Sequence, residues 1–309
     1  MTPAISTSLN FRLLCAAGSA YDIAPGACAY TPDLVYSPVV GYTSAPKAIC
    51  GDINSINACL VGENADGIIV AFRGTLPLSL KDPNNLLNWL EDFFDVPRPA
   101  SNVPGQVHSG FYDGTMSLIA AIAATVQSLN PGPAKKVLVT GHSLGGAMAS
   151  IGAYILSQSY HFPVQQVVTF ASPKPGDIGF QAGYQTVINQ VRFENFQDIV
   201  PLVPPSDAFI QPAVGVLKLL PQVGQKLADL FQSAAGWNYV PVGAQQFIEA
   251  DMHTIISNEP VASQTWDVVK EIGEDIWDRD FSSFLAAHTI NPGGGYYRAI
   301  STMTSAAAT

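Results

Sequence analysis

The stretch Gly141-His142-Ser143-Leu144-Gly145 sets a serine between glycines where a strand should give way to a helix. Val137-Leu138-Val139-Thr140, apolar and β-branched, leads in, and Gly146-Ala147-Met148-Ala149-Ser150-Ile151-Gly152-Ala153, small and apolar, leads out. In that context G-x-S-x-G reads as a nucleophile elbow. The sharp turn strains the serine and admits only small neighbours, a need that Gly141 and Gly145 meet by lacking a Cβ. Ser143 Oγ then projects at the C-terminal edge of a sheet, above a helix N-terminus whose N–H groups can stabilise a developing oxyanion. The plain alternative is an ordinary serine in a glycine-rich turn. A phosphate loop fits poorly, because no Lys-Ser/Thr follows the glycines.

A serine hydroxyl attacks only with a base beside it and a group that orients the base. In an elbow fold the acid and then the histidine follow the serine along the chain. The histidines downstream are His161, His253 and His288. His161 falls just past the elbow helix, on the wrong side of the sheet; His288 sits at a helix end before a loop; His253 is the second choice. Asp198 and Asp177 each follow a strand, where ligand crevices of open α/β sheets form, and each also reads as a turn aspartate bonded to nearby backbone. An oxyanion hole needs two N–H donors. Leu144, after the nucleophile, supplies one. Thr75, after the strand that ends in Phe72-Arg73-Gly74, is the candidate for the other, unless that is an ordinary strand-ending turn.

These residues need a scaffold. The spacing predicts an N-terminal helix over about 8–21, a hairpin region over 47–73 ending in Ile68-Ile69-Val70-Ala71-Phe72, and a helix over about 109–129 stopped by Asn130-Pro131-Gly132-Pro133. The elbow strand and helix follow, then short buried strands at 167–170 and 191–194. Strands alternating with helices imply a largely parallel sheet covered on both faces. No repeat or domain boundary stands out, so residues 1–309 read as a single domain.

Taken together, the chain resembles the class 3 lipases, also called fungal-type triacylglycerol lipases. The matching pieces are Ala71-Phe72-Arg73-Gly74-Thr75, Asn88-Trp89, Val107-His108-Ser109-Gly110-Phe111, Thr140 to Ala147, Thr169-Phe170-Ala171-Ser172-Pro173 and Asp198-Ile199-Val200-Pro201. The resemblance spans about residues 60 to 300. It implies an α/β-hydrolase fold with a largely parallel central sheet, helices on both faces and a helical lid. It implies carboxylester hydrolysis of acylglycerols or similar apolar esters at a lipid–water interface, by acyl transfer to Ser143 and then to water. Asp198 would be the acid, and Thr75 with Leu144 the oxyanion donors. It favours His288, because the family's histidine lies near the C-terminus with a tyrosine soon after. Here Asn291-Pro292-Gly293-Gly294-Gly295 intervenes before Tyr296, and the chain carries extra length at about 206–236. A feruloyl-type esterase, a phospholipase or an acyltransferase would use the same constellation, and a non-catalytic lipid-binding protein is the alternative of another class.

Two apolar segments border this site. Between Thr75 and Val96 an amphipathic helix is predicted, capped by Asp82 with Pro83 in its first turn. Leu86, Leu87, Leu90, Phe93 and Phe94 share one face, and Asn85, Asn88, Glu91, Asp92 and Asp95 fall mostly on the other. By resemblance residues 76–96 are the lid, with Leu86, Leu87, Trp89, Leu90 and Phe93 in it; otherwise this is a surface helix packed on the core. The apolar run from Val214 to Phe231 reads as a wall of the acyl pocket or as an extra packed helix.

The composition narrows the partners. Of 309 residues 48% are hydrophobic and only 12% charged, with a formal net charge of −10. A sizeable core is available, and no basic stripe exists to meet the phosphates of nucleic acid. No uninterrupted 18-residue apolar run is present, so no transmembrane helix is expected. Leu13 to Ala17 is too short for a signal-peptide core, and secreted and cytoplasmic locations both stay open. No metal or organic cofactor is implied: the four cysteines, Cys15, Cys28, Cys50 and Cys59, lack C-x₂-C spacing and a nearby histidine. Cys50 and Cys59 could face each other across a hairpin, as a disulfide in an exported protein or as free thiols in a cytosolic one.

Overall fold

The computed structural model describes residues 7–51, 56–75, 91–130, 134–218, 224–259 and 286–303. Its strands are β1 (Ile23–Ala24), β2 (Ala29–Tyr30), β3 (Lys47–Cys50), β4 (Ala58–Asn64), β5 (Gly67–Phe72), β6 (Pro97–Pro99), β7 (Gln106–His108), β8 (Val137–His142), β9 (Val164–Phe170), β10 (Gly176–Asp177), β11 (Gln190–Asn195), β12 (Tyr239–Val240), β13 (Ala244–Ile248) and β14 (Ile255–Ser257). Its helices are α1 (Leu9–Ser19), α2 (Ser37–Val40), α3 (Ser109–Leu129), α4 (Leu144–Gln158), α5 (Ile178–Gln185), α6 (Asp207–Leu217), α7 (Gly224–Ser233) and α8 (Gly295–Ser301).

The central sheet has eight strands in the order β14-β13-β11-β9-β8-β5-β4-β3. Its middle, β13 to β5, is parallel; the outer pairs β13/β14, β5/β4 and β4/β3 are antiparallel. Alternation along the strands feeds two cores. In β5, Ile68, Val70 and Phe72 point into one apolar cluster, Ile69 and Ala71 into the other. The first cluster lies under α3 and α4, and the second under α1 and α8. Parallel strands buried on both faces read as continuous apolar runs, as the β8 sequence does. Ser8 caps α1, its hydroxyl accepting the N–H of Phe11. A second, four-stranded antiparallel sheet, β12-β10-β7-β6, flanks the first.

The expected extra length at 206–236 contains α6 and α7. Phe209, Ile210, Ala213, Leu217, Leu227, Ala228 and Phe231 of this pair are buried in the first cluster. Both helices therefore pack on the core; a wall for an acyl chain is not needed to explain their apolar faces.

The cysteine expectation is corrected. The disulfide joins Cys28 and Cys50, while Cys15 and Cys59 are buried thiols. The register pairs Cys50 with Ala58 and Cys59 with Ile49. Cys59 lies in the first cluster and Cys50 packs against the second. A one-residue offset across a hairpin puts two side chains on opposite faces, where they cannot bond.

Candidate active site

The elbow is built as its sequence demands. β8 ends at His142, α4 starts at Leu144, and Ser143 alone joins them at φ 57° and ψ −136°. A residue with a side chain is costly there. Hydrogen bonds hold it: Ser143 N–H donates to Phe170 O at 2.9 Å and Gly146 N–H to Ser143 O at 2.7 Å. A Cβ on Gly141 would lie 2.1 Å from Gly145 O, and one on Gly145 2.4 Å from Phe72 O. Only glycine fits at either place.

Ser143 Oγ lies 3.0 Å from His288 Nε2. His288 Nδ1 lies 3.0 and 3.1 Å from the two carboxylate oxygens of Asp198. A carboxylate only accepts, so its partners assign the proton to Nδ1 and leave the Nε2 lone pair facing the serine. Asp198 follows β11 in a turn closed by its own N–H on Asn195 O at 3.1 Å. Its Oδ1 accepts from Val200 N–H at 3.0 Å, and its Oδ2 from the Tyr296 hydroxyl at 2.7 Å. That hydroxyl in turn accepts the Asn195 N–H at 3.0 Å. Burial, and after it the Asp198 charge, pushes the Tyr296 hydroxyl pKa up, so it stays a donor.

The glycine-rich spacer before Tyr296, the departure from the family pattern, has a steric reason. A Cβ on Gly295 would lie 2.5 Å from Asn195 Nδ2. Glycine lets the chain close on β11, and Tyr296 reaches the carboxylate from the first turn of α8. Asn195 Nδ2 also donates to Ala287 O at 2.8 Å, holding the backbone beside His288.

Leu144 follows the serine as the first residue of α4, and Thr75 stands three residues past the end of β5. The chain before Thr75 passes close over the elbow: a Cβ on Gly74 would be 2.6 Å from His142 O and 3.2 Å from Ser143 Cβ. Of the lid residues, Leu86, Leu87, Trp89 and Leu90 lie outside the described residues. Phe93 is buried, its ring 6.3 Å from that of Phe111. Phe94 meets Phe231 of α7 with ring centroids 5.3 Å apart.

The competing residues are elsewhere. Asp177 caps α5, accepting the N–H groups of Phe180 at 2.8 Å and Gln106 at 2.9 Å. His253 is exposed in a turn where Asp251 accepts its N–H, and His161 is exposed beyond α4. Sequence reasoning did not single out Tyr21, Asn195, Lys174 or the His142 side chain. Lys174 is buried and ties the chain beyond Asp198, donating to Leu202 O at 2.5 Å and Pro204 O at 3.0 Å. Burial lowers its pKa to about 7. Its signal was a lone lysine between two prolines, which does not say what it bonds. Among the described residues no group of His, Cys, Asp or Glu could hold a metal ion.

Residues 69–208 match the family described as Lipase (class 3). Over that segment the chain is similar to the class 3 lipases. It is 35% identical over 152 residues to a lipase of Rhizomucor miehei, covering 47% of this chain and 39% of that one. It is 31% identical over 164 residues to the secreted mono- and diacylglycerol lipase 1 of Fusarium solani, covering 51% and 46%. The chain thus spans less than half the length of these relatives. The structure of the Rhizomucor miehei triacylglyceride lipase superposes with a TM-score of 0.55 over 78% of each chain, at 24% identity. The fold is that of the α/β-hydrolases, and among the described residues no helix is long and apolar enough to cross a membrane.

Proposed function

We propose that this chain is a serine carboxylester hydrolase acting on acylglycerols or similar apolar esters. The observation that carries the reading is the continuous contact from Ser143 Oγ through His288 to Asp198, at 3.0 Å on each side of the imidazole. His288 Nε2 takes the serine proton as Oγ bonds to the ester carbonyl carbon. On this reading the N–H groups of Leu144 and Thr75 are the donors to the resulting oxyanion. The imidazolium, steadied by Asp198, passes its proton to the leaving alcohol as the C–O bond breaks. Water then repeats the sequence on the acyl-enzyme, its proton going to His288 and on to Ser143 as the carboxylic acid leaves. The class 3 lipase match over residues 69–208 and the similarity to acylglycerol lipases support an apolar ester.

An organophosphonate should label Ser143 in the wild type and nothing in Ser143→Ala. A folded wild type that does not react would sink the reading and favour a lipid-binding protein. A panel of p-nitrophenyl esters, triglycerides, phospholipid and feruloyl esters then sorts the substrate class. On the same reading residues 76–96 cover the site in water. Hydrolysis of a short triglyceride should jump at its solubility limit, and a smooth saturation curve would argue against that cover.

A further inference from the structure

His142, the residue before Ser143 in the elbow, is buried between two partners. Its Nδ1 lies 2.7 Å from Tyr21 Oη, and its Nε2 lies 2.7 Å from the main-chain oxygen of His288. A carbonyl oxygen only accepts, so Nε2 carries the proton and Nδ1 takes the tyrosine O–H. The imidazole ring lies 4.7 Å from that of His288, inclined by 41°. Burial, and then the neighbouring His288, hold its pKa well below the ordinary histidine range. It therefore stays neutral while His288 gains and loses a proton. Tyr21 stands just past α1, and its hydroxyl also meets the loop that carries Thr75: a Cβ on Gly74 would lie 2.2 Å from Tyr21 Oη.

We infer that Tyr21 and His142 are positioning residues for His288, linked by two hydrogen bonds that run from the N-terminal segment to the backbone of the base. The inference rests on the proposed hydrolase reading. Tyr21 fixes the tautomer of His142. Without its O–H, Nδ1 is a buried acceptor with no donor. The cheapest remedy is to move the proton to Nδ1. That turns the Nε2 lone pair against His288 O, and the repulsion shifts the base from Ser143. A shift of about 1 Å in a catalytic group can cost on the order of a hundredfold in rate.

The test uses Tyr21→Phe, which keeps the ring, and His142→Gln, which keeps an N–H donor and an acceptor. With a soluble p-nitrophenyl ester, Tyr21→Phe should lower kcat about tenfold to a hundredfold with KM changed less than about twofold. His142→Leu should lose at least as much, His142→Gln should recover part of it, and Tyr21→Phe added to His142→Leu should cost almost nothing more. Imidazole ¹⁵N shifts give a readout independent of turnover. Wild-type His142 should carry its proton on Nε2 from pH 5 to 8, and Tyr21→Phe should move it. A wild type that labels with phosphonate but whose Tyr21→Phe variant keeps full kcat would overturn the inference, as would additive losses or a wild-type proton on Nδ1. A wild type that does not label, with the Nε2 tautomer intact, would instead refute the hydrolase reading.

Discussion

Tyr296→Phe removes one oxygen atom from a buried site and breaks two hydrogen bonds. The ring is fully buried in the core under α1 and α8, so packing is kept and the effect isolates the hydroxyl. The Asn195 N–H, 3.0 Å from that oxygen, loses its acceptor. A buried donor left without a partner costs about 1–3 kcal/mol. Asp198 Oδ2 loses a donor at 2.7 Å, and a hydrogen bond to a charged group contributes about 1.5–3 kcal/mol. Together the fold should lose about 3–5 kcal/mol, and Tm should fall by roughly 5–10 °C at the scaling of a large domain.

The catalytic effect should be smaller than the loss of the triad histidine. Asp198 keeps the Val200 N–H and still faces His288 Nδ1 with both oxygens. If about 1.4 kcal/mol of the lost orientation is felt in the transition state, kcat falls about tenfold. KM should stay the same, since the hydroxyl lies behind the acid and away from the serine. Thermal unfolding and initial rates on a soluble ester, run on the same preparation, measure both. Wild-type Tm together with wild-type kcat would refute the idea that this hydroxyl holds the carboxylate in place.

Four other outcomes follow from particular contacts. Burial lowers the His108 pKa to about 4, so the fold binds its proton later than the unfolded chain does; the contribution is whole above about pH 6.5 and about 3 kcal/mol is lost as pH falls to 4. His108→Asn keeps a cap for the Phe111 N–H and should flatten that part of the stability curve in urea titrations; an unchanged slope would rule it out. Cys28 and Cys50 close a loop of 22 residues, and Cys28→Ala with Cys50→Ala should cost about 3 kcal/mol by denaturant unfolding; no change in midpoint would contradict this. Phe231→Ala in α7 opens space beside Phe94 and Phe209 and should cost about 3–5 kcal/mol. Deleting residues 207–235 should then unfold the protein, whereas a folded deletion with altered chain-length preference would restore the acyl-wall reading.

What the sequence disclosed follows the range of the physics involved. The elbow is written in five consecutive residues because its constraints are local: a strained serine, two glycines that backbone oxygens crowd, a strand before and a helix after. The layered fold is legible for the same reason, since alternation along β5 and the helical spacing of α3 are properties of short windows. Asp198 and His288 were legible as types, but His253 and Asp177 were of the same type. Choosing between them requires contacts across 90 and 145 positions of chain, which one sequence does not encode locally; loop position ranked His288 ahead of His253, and the resemblance to a family favoured His288 and Asp198. The disulfide shows the opposite failure. Cys50 and Cys59 are near in sequence, yet a single step of strand register turns them to different faces, and the true partner of Cys50 sits on the β1–β2 loop.

His142 marks where such reading ends. It lies inside the most informative pentapeptide of the chain, and its identity alone is mute, because a histidine there can point to solvent, substrate or core. Only its two neighbours, Tyr21 at 121 positions' distance and the His288 carbonyl at 146, give it a fixed tautomer. The elbow strand thus sets two things at once. Its end places Ser143, and the side chain one residue earlier grips the backbone of His288. A change in the N-terminal segment that moves Tyr21 would therefore reach His288 through two hydrogen bonds.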